Sequence, residues 1–493
     1  MRRFNVVCIS LLASLCALPA HSSDKHWFNV RSAHFRVVTD VSAKRGVEVA
    51  RHCEQMRSAF ALLMNRARTH DPAPLLIFAL DGQKEVDEFA GDANRGKHTG
   101  LFSPGTDESF ILLDASGDPW HAVYHEYAHE LLNANTSTAV QTWFDEGFAE
   151  YFSTLEATSK GTRLGMVSVA ELEFLRRNGK LMRLSDLVAV RQDSQAYNQN
   201  GTTVAMFYAE SWLLVHYLFD HQLISHAEPF FTRMASGTSL DEATQADFGM
   251  SPARLESDLL EYAKGERFRY FSLPATDIPA ETTVNELTLK TAQALAADVR
   301  WHAKLQHSDA DVELHAADLR ALLQDEPSNP VVLRQLGMVL VLLGKKEEAL
   351  DFLRRAVKAE PAEVLNHYAL ALAFLSDGDK PSGRQFAGLL DRELAACVQL
   401  DPDFADVYRM QALALSRSGL FDQATAVIRK ASVLAPRSEI YELALADLEI
   451  KKHDWAAAVA LLQELKSSHN PDVAKQAEYF LSQEVQQAAI PKE

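Results

Sequence analysis

The chain of 493 residues is too long for one hydrophobic core, and about two to four domains are expected. Its 47% hydrophobic and 24% charged content is that of an ordinary globular protein. A formal charge of −18 argues against nucleic acid or an anionic membrane surface as a non-specific partner.

At the N-terminus Arg2 and Arg3 form a positive region, Phe4 to Ala20 is mostly apolar, and Ala20-His21-Ser22 offers small residues for a signal peptidase. Residues 1–22 therefore read as a signal peptide, which sets the protein in the periplasm or, failing that, the medium. Leu15 stands where a lipoprotein signal wants a small residue before Cys16, so no lipid anchor is expected. No later stretch reaches the ~18 apolar residues of a membrane span. Removing the signal leaves Cys53 and Cys397 in different expected domains, which indicates no disulfide framework. Cys53 shares a helical face with Val49, Met56, Phe60 and Leu63 and reads as core.

Residues 27–95 read as strand, helix, strand, helix. His34-Phe-Arg-Val-Val-Thr39 alternates as a strand, Ser42 to Asn65 carries apolar residues at helical steps, and Pro74 to Leu80 is a second apolar run. Glu85 to Phe89 looks helical, and Ser109-Phe-Ile-Leu-Leu-Asp114 is a third strand. Asp118 as N-cap and Pro119 as first helical residue then begin a helix. From there to about residue 270 the pattern is mainly helical, most clearly over Val204 to Phe219 and Pro252 to Lys264.

On that helix lies His125-Glu126-Tyr127-Ala128-His129. Residues four apart share a face, so both imidazoles can reach one cation, and Glu126 projects beside them as a candidate base. Next comes Trp143-Phe-Asp-Glu-Gly-Phe-Ala-Glu-Tyr151. Sixteen residues separate His129 from Glu146, room for a turn and a returning antiparallel helix that supplies a third ligand. Glu150, one turn on, could accept the outer N–H of a metal-bound imidazole.

The pairing of His-Glu-x-x-His with Asp-Glu-Gly-Phe-Ala-Glu-Tyr resembles the gluzincin metallopeptidases, in particular the aminopeptidase-type branch and its bacterial relatives in the peptidase MA-like group. The resemblance implies an α+β zincin-like domain with one zinc per chain. His125, His129 and Glu146 would bind it, Glu126 would deprotonate the zinc-bound water, and Glu150 matches the family's acidic position beyond the third ligand. The spacing of 16 is slightly shorter than that branch usually shows and suggests a tighter connection. Tyr208-Ala-Glu-Ser-Trp-Leu-Leu-Val-His-Tyr-Leu218 is similar to the segment whose tyrosine hydrogen-bonds the oxyanion, which implies that role for Tyr208. A half-buried aromatic on an apolar helix is the competing account of Tyr208, and Tyr197 and Tyr217 rank behind it. The branch's Gly-Ala-Met-Glu-Asn element, which anchors a substrate amine, has no counterpart upstream of His125; Thr99-Gly-Leu-Phe stands there. Endopeptidase action is therefore expected over aminopeptidase action. His121 extends the four-residue series but sits in the first helical turn, and His98, His216, His221 and His226 lack partner spacing, so these read as structural or solvated.

From about residue 284 the pattern is almost all helix and repeats. Pro327, Pro361, Pro402 and Pro436 are spaced 34, 41 and 34, and Gly344, Gly378 and Gly419 keep the same phase at 34 and 41. Gly337, Ala371, Ala412 and Ala446 repeat it again, as do Ala349, Ala424 and Ala458 at 75 and 34. The extra seven residues fall within Asp377 to Arg392. This phasing resembles the tetratricopeptide repeat, whose small residues let paired helices pack closely.

The expected architecture is thus an α+β zincin-like metallopeptidase domain over 23–275, α/β to about 115 and helical after it. A helical linker or degenerate repeat follows over 276–326, then an all-α tetratricopeptide-repeat solenoid over 327–480. The expected function is an exported zinc peptidase that cleaves a peptide or protein laid along the edge of Ser109–Asp114. The repeats would recruit that substrate or a protein partner in their groove, as a module separable near Thr276. The rival is a repeat-based interaction scaffold in the cell envelope whose metalloprotease fold is weakly active or inactive.

Overall fold

The computed structural model describes residues 25–488 except 65–67, 91–99, 137–139, 159–160, 192–200, 275–280, 303–306, 377–386, 467 and 469. The segment 1–22, His98 and Tyr197 lie outside the described residues.

Strand β1 (Trp27–Arg31) turns back antiparallel onto β2 (Arg36–Thr39). Helix α1 (Ala43–Leu63), capped by Ser42, crosses over to β3 (Leu75–Leu80), which lies parallel to β2. Helix α2 (Gln83–Ala90) precedes β4 (Gly100–Ser103), which is antiparallel to β5 (Ser109–Asp114), itself parallel to β3. Helices α3 (Trp120–Asn135) and α4 (Thr142–Ser153) follow, then hairpin β6 (Glu156–Thr158) and β7 (Gly161–Leu164). Next come α5 (Val169–Asn178), α6 (Leu184–Val188), α7 (Thr202–Asp220), α8 (Ala227–Ala235), α9 (Leu240–Asp247) and α10 (Pro252–Lys264). Strand β8 (Phe271–Pro274) joins the small sheet with β6 and β7, and β9 (Thr283–Leu287) pairs with β1. The main sheet has the order β4-β5-β3-β2-β1-β9.

Two sequence expectations change here. Ser109–Asp114 is an inner strand, because β4 covers the side that was expected to be free. The edge beside it belongs to Gly100–Ser103, a run too short and too glycine-marked to read as a strand by alternation. Helix α3 also begins one residue late: Pro119 is its cap residue, while Asp118 Oδ1 accepts from the Trp120 N–H at 3.4 Å.

The inner strands of the sheet are buried on both faces. Every residue of Leu75–Leu80 is buried, as a continuous apolar run in a central parallel strand should be. Val37, Ile77, Ala79, Ile111 and Leu113 pack against α1 and α3 through Cys53, Met56, Phe60, Tyr127 and Leu131. Val38, Leu76, Phe78, Phe110 and Leu112 face the other way, onto Phe89 of α2 and onto helices from the region expected to be linker and repeats. Those are α11 (Leu289–His302), which presents Leu295 and Val299, and α13 (Pro330–Leu342), which presents Val332 and Leu336. The boundary expected at 275 is therefore displaced: residues 283–342 supply an edge strand and the second helical layer of the sheet.

Helix α12 (Asp309–Asp325) lies between α11 and α13. The chain then continues as helix pairs: α13 with α14 (Lys346–Ala359), α15 (Val364–Leu375) with α16 (Ala387–Leu400), α17 (Ala405–Arg417) with α18 (Phe421–Leu434), and α19 (Glu439–Lys451) with α20 (Trp455–Leu465). Helix α21 (Pro471–Ala488) closes the series. The phase markers have local causes. Gly344 and Gly419 turn one helix into its partner at φ 70° and 75°, and His453 takes the corresponding place at φ 63°. A Cβ on Gly337 would come 2.5 Å from Leu353 Cγ, so the helices approach most closely there, and the matching positions of the later pairs hold only alanine. Gly378 and most of the expected insertion fall outside the described residues. Among the described residues no helix is long and apolar enough to cross a membrane.

The repeats also grip the end of the sheet. Arg31 meets Glu363 at 2.6 Å, His70 meets Asp403 at 2.9 Å, and the Ala405 N–H donates to Pro72 O at 2.8 Å. Arg334 lies 3.8 Å from the buried Glu108. The repeats thus pack directly against the sheet and its flanking helices.

Candidate metal centre

Tyr124, Tyr127, Ala128 and Leu131 seat α3 in the core, and Trp143, Phe144, Phe148 and Phe152 do the same for α4. Gly147 lets α7 cross α4 closely, since a Cβ there would meet the Ser211 carbonyl oxygen at 2.3 Å. The polar faces of α3 and α4 then oppose one another. His121 pairs with Glu150 and His129 with Asp145, so the two helices run antiparallel.

Between them the ligand atoms of His125, His129 and Glu146 lie within 4.8 Å of one another. The two Nε2 atoms are 3.2 Å apart, and Glu146 Oε2 is 3.4 Å from His125 Nε2 and 3.9 Å from His129 Nε2. Tetrahedral zinc with ligand bonds of about 2.0–2.1 Å sets ligand atoms roughly 3.3 Å apart. The donor set therefore fits one such cation, with both imidazoles presenting Nε2 inward.

A carboxylate stands behind each outer nitrogen. Asp145 Oδ1 accepts from His129 Nδ1 at 2.9 Å. Glu150 Oε1 lies 3.2 Å from His125 Nδ1, close in distance but off the hydrogen-bond axis, and its Oε2 accepts from His121 Nε2 at 3.1 Å. Burial opposes charge on His125, but Glu150 and Glu146 outweigh it and hold the imidazole well above its usual range. The same balance, with Asp145 as the main counter-charge, raises His129. Burial likewise opposes ionisation of Asp145 and Glu150, and the histidines overcome it in each case. Such carboxylates fix which nitrogen faces a metal and increase its basicity.

Glu126 is buried beside the cluster and lines the same cavity, of about 330 Å³, as His125, His129 and Glu146. Gly100 of β4 packs on it so closely that a Cβ would fall 2.8 Å from both Cγ and Oε1. Half-buried Tyr208, on α7, lines this cavity too. Tyr217 does not; it is buried and stacks on His221 with ring centroids 3.9 Å apart. His216 is buried 3.0 Å from Gly165 O, and His226 is exposed in a short turn.

Three contributors to the site escaped the sequence reading. Asp145 lay inside the second motif, and only the opposed helices reveal that it faces His129. Gly100 appeared only as part of a string that lacked an amine anchor. Arg437, between α18 and α19, lines the cavity from far beyond both motifs in the chain, with no local signal.

Residues 120–236, which span the candidate ligands and Tyr208, match the family described as "Protein of unknown function (DUF1570)". No curated protein matches the chain. Among solved structures, the chain is similar to TTC0263, a thermophilic TPR protein of Thermus thermophilus, at 19% identity with a TM-score of 0.35, covering 39% of this chain and 98% of that one. It is also similar to MamA from Desulfovibrio magneticus, at 19% identity and a TM-score of 0.29, covering 39% and 97%.

Proposed function

We propose that this chain is a zinc-dependent peptidase that hydrolyses peptide or protein amides, with endopeptidase action favoured over aminopeptidase action. The observation that carries the reading is the convergence of His125, His129 and Glu146 around one point, with Glu126 beside them and a carboxylate behind each imidazole. Zinc, when bound there, supplies Lewis-acid polarisation of a carbonyl and acidification of water.

The chain's own residues do the rest. Glu126 takes a proton from the attacking water and returns it to the leaving amine. Tyr208 donates its phenolic hydrogen to the developing oxyanion. Asp145 and Glu150 hold the imidazoles in register. The backbone of the edge strand β4 accepts an extended substrate by strand addition, the part first expected of Ser109–Asp114. The setting that goes with this reading is the periplasm, to which residues 1–22 would direct the chain.

A repeat-based interaction scaffold is the second reading. It is favoured by the paired helices α13 to α20, an architecture that offers an extended surface to protein partners. Zinc analysis of the pure protein, combined with digestion of an unbiased peptide library, tests the two. One zinc per chain with reproducible cleavage supports the peptidase; a metal-free protein that cleaves nothing and still captures a partner supports the scaffold.

A further inference from the structure

The cavity at the candidate metal centre is walled on one side by Arg437, carried by the turn between α18 and α19. Its Nε and Nη2 atoms are shielded from solvent and have no hydrogen-bond partner among the described residues. An arginine left so is unusual, since its donors ordinarily pair when buried. Three carboxyl groups act on it through space: Asp145, Glu130 and Glu228. Asp145 is already committed to His129. Glu130 has both oxygens buried, with no hydrogen-bond partner among the described residues. Burial lowers the guanidinium itself, as expected of a cation with too little compensation.

Arg437 also stands where two cavities meet. A second space of about 200 Å³ shares Pro104, Asn133 and Arg437 with the first. It continues between the loop after β4, through Gly105 and Thr106, and the repeat turn, through Ala435 and Ser438. The two cavities adjoin at these shared residues and together extend from the ligand cluster toward the seam between the sheet and the repeats.

Resting on the peptidase reading above, we infer that Arg437 is a substrate-binding residue contributed by the repeats, and that it takes a carboxylate of the peptide lying in these adjoining cavities. Its forked donors match a carboxylate in two parallel hydrogen bonds. The carboxylate has two sources, a free peptide C-terminus or an acidic side chain. The first would make the enzyme release short C-terminal fragments, and the second would make it cut beside acidic residues.

The test uses the full chain. Metal is first removed with a chelator so that nothing is turned over, and binding of three N-acetylated peptides of equal length is measured by calorimetry: an alanine peptide with a free C-terminus, the same peptide amidated, and an amidated peptide with one internal glutamate. Wild type should bind at least one carboxylate-bearing peptide about 10- to 100-fold more tightly than the neutral amide. Arg437→Gln should bring that ratio close to one, and Arg437→Lys, which keeps the charge and loses the fork, should retain part of it. Preference for the free acid alone identifies the C-terminal carboxylate; preference for the internal glutamate identifies the side chain. Equal binding of all three peptides by wild type, no binding of any, or a preference that survives in Arg437→Gln, overturns the assignment. Cleavage by the zinc-loaded chain is scored separately. Carboxylate preference without cleavage would remove the peptidase reading and leave Arg437 as a carboxylate site, whereas cleavage without preference would do the reverse.

Discussion

His129 and Asp145 sit on opposed helices, and the imidazole Nδ1 donates to the carboxylate at 2.9 Å, which turns Nε2 toward His125 and Glu146. Asp145 is the residue immediately before a proposed ligand, so one turn of α4 supplies both a ligand and the support for its neighbour. Asp145→Asn should therefore keep the fold and weaken zinc binding about 10- to 100-fold. Competition against a chromogenic chelator measures this, and unchanged affinity would remove Asp145 from the support of the site.

Gly100 offers a handle on Glu126 that leaves the ligands alone. A methyl group there would stand 2.8 Å from Cγ and Oε1 of Glu126, too close for any side chain. Gly100→Ala should displace the carboxylate and reduce cleavage about 10- to 100-fold, as small misplacements of reacting groups do. Zinc content should stay at the wild-type level. Full activity in this variant would mean that Glu126 needs no fixed position.

Tyr208→Phe tests the role proposed for Tyr208 as oxyanion donor. Loss of one such donor is worth about 2.7–4 kcal/mol of barrier in other enzymes. The catalytic rate should fall accordingly, with zinc content and substrate affinity nearly intact. An unchanged rate would return Tyr208 to a packing role on α7.

Truncation near Thr276 tests the shared core. The fragment would lose β9 and the helices that place Leu295, Val299, Val332 and Leu336 on the sheet. Burial of four such side chains contributes on the order of 10 kcal/mol, comparable to the whole net stability of a domain. The fragment should lose its near-ultraviolet circular dichroism and expose hydrophobic surface to dye. A folded, zinc-binding fragment would restore the modular division expected from the sequence.

Periodicity made the strands at 36–39, 75–80 and 109–114 and most helices legible, because apolar alternation and helical spacing are local properties. The grouping of the candidate ligands was legible for the same reason: His125 and His129 share one helical face, and Glu146 lies on the next helix. What stayed hidden was set by long-range packing. Strand β1, Trp27–Arg31, and the edge strand Gly100–Ser103 are short, and β9 is largely exposed, so their hydrophobic patterns are weak. The repeat phasing from Pro327 to Pro436 described the helix pairs well and said nothing of where they dock. That Leu336 would share a core with Phe78, or that Arg437 would line the cavity at the candidate ligands, depends on the path of the whole chain.

The most direct measurement of the central claim is a comparison of Glu126→Gln with wild type, both loaded with zinc and assayed on unstructured peptides. Glutamine keeps the size of the side chain and cannot accept a proton. The peptidase account requires one zinc per chain in both proteins, the same fold, and a rate lowered by at least about 10²- to 10⁴-fold in the variant. Hydrolysis by Glu126→Gln at the wild-type rate would contradict it.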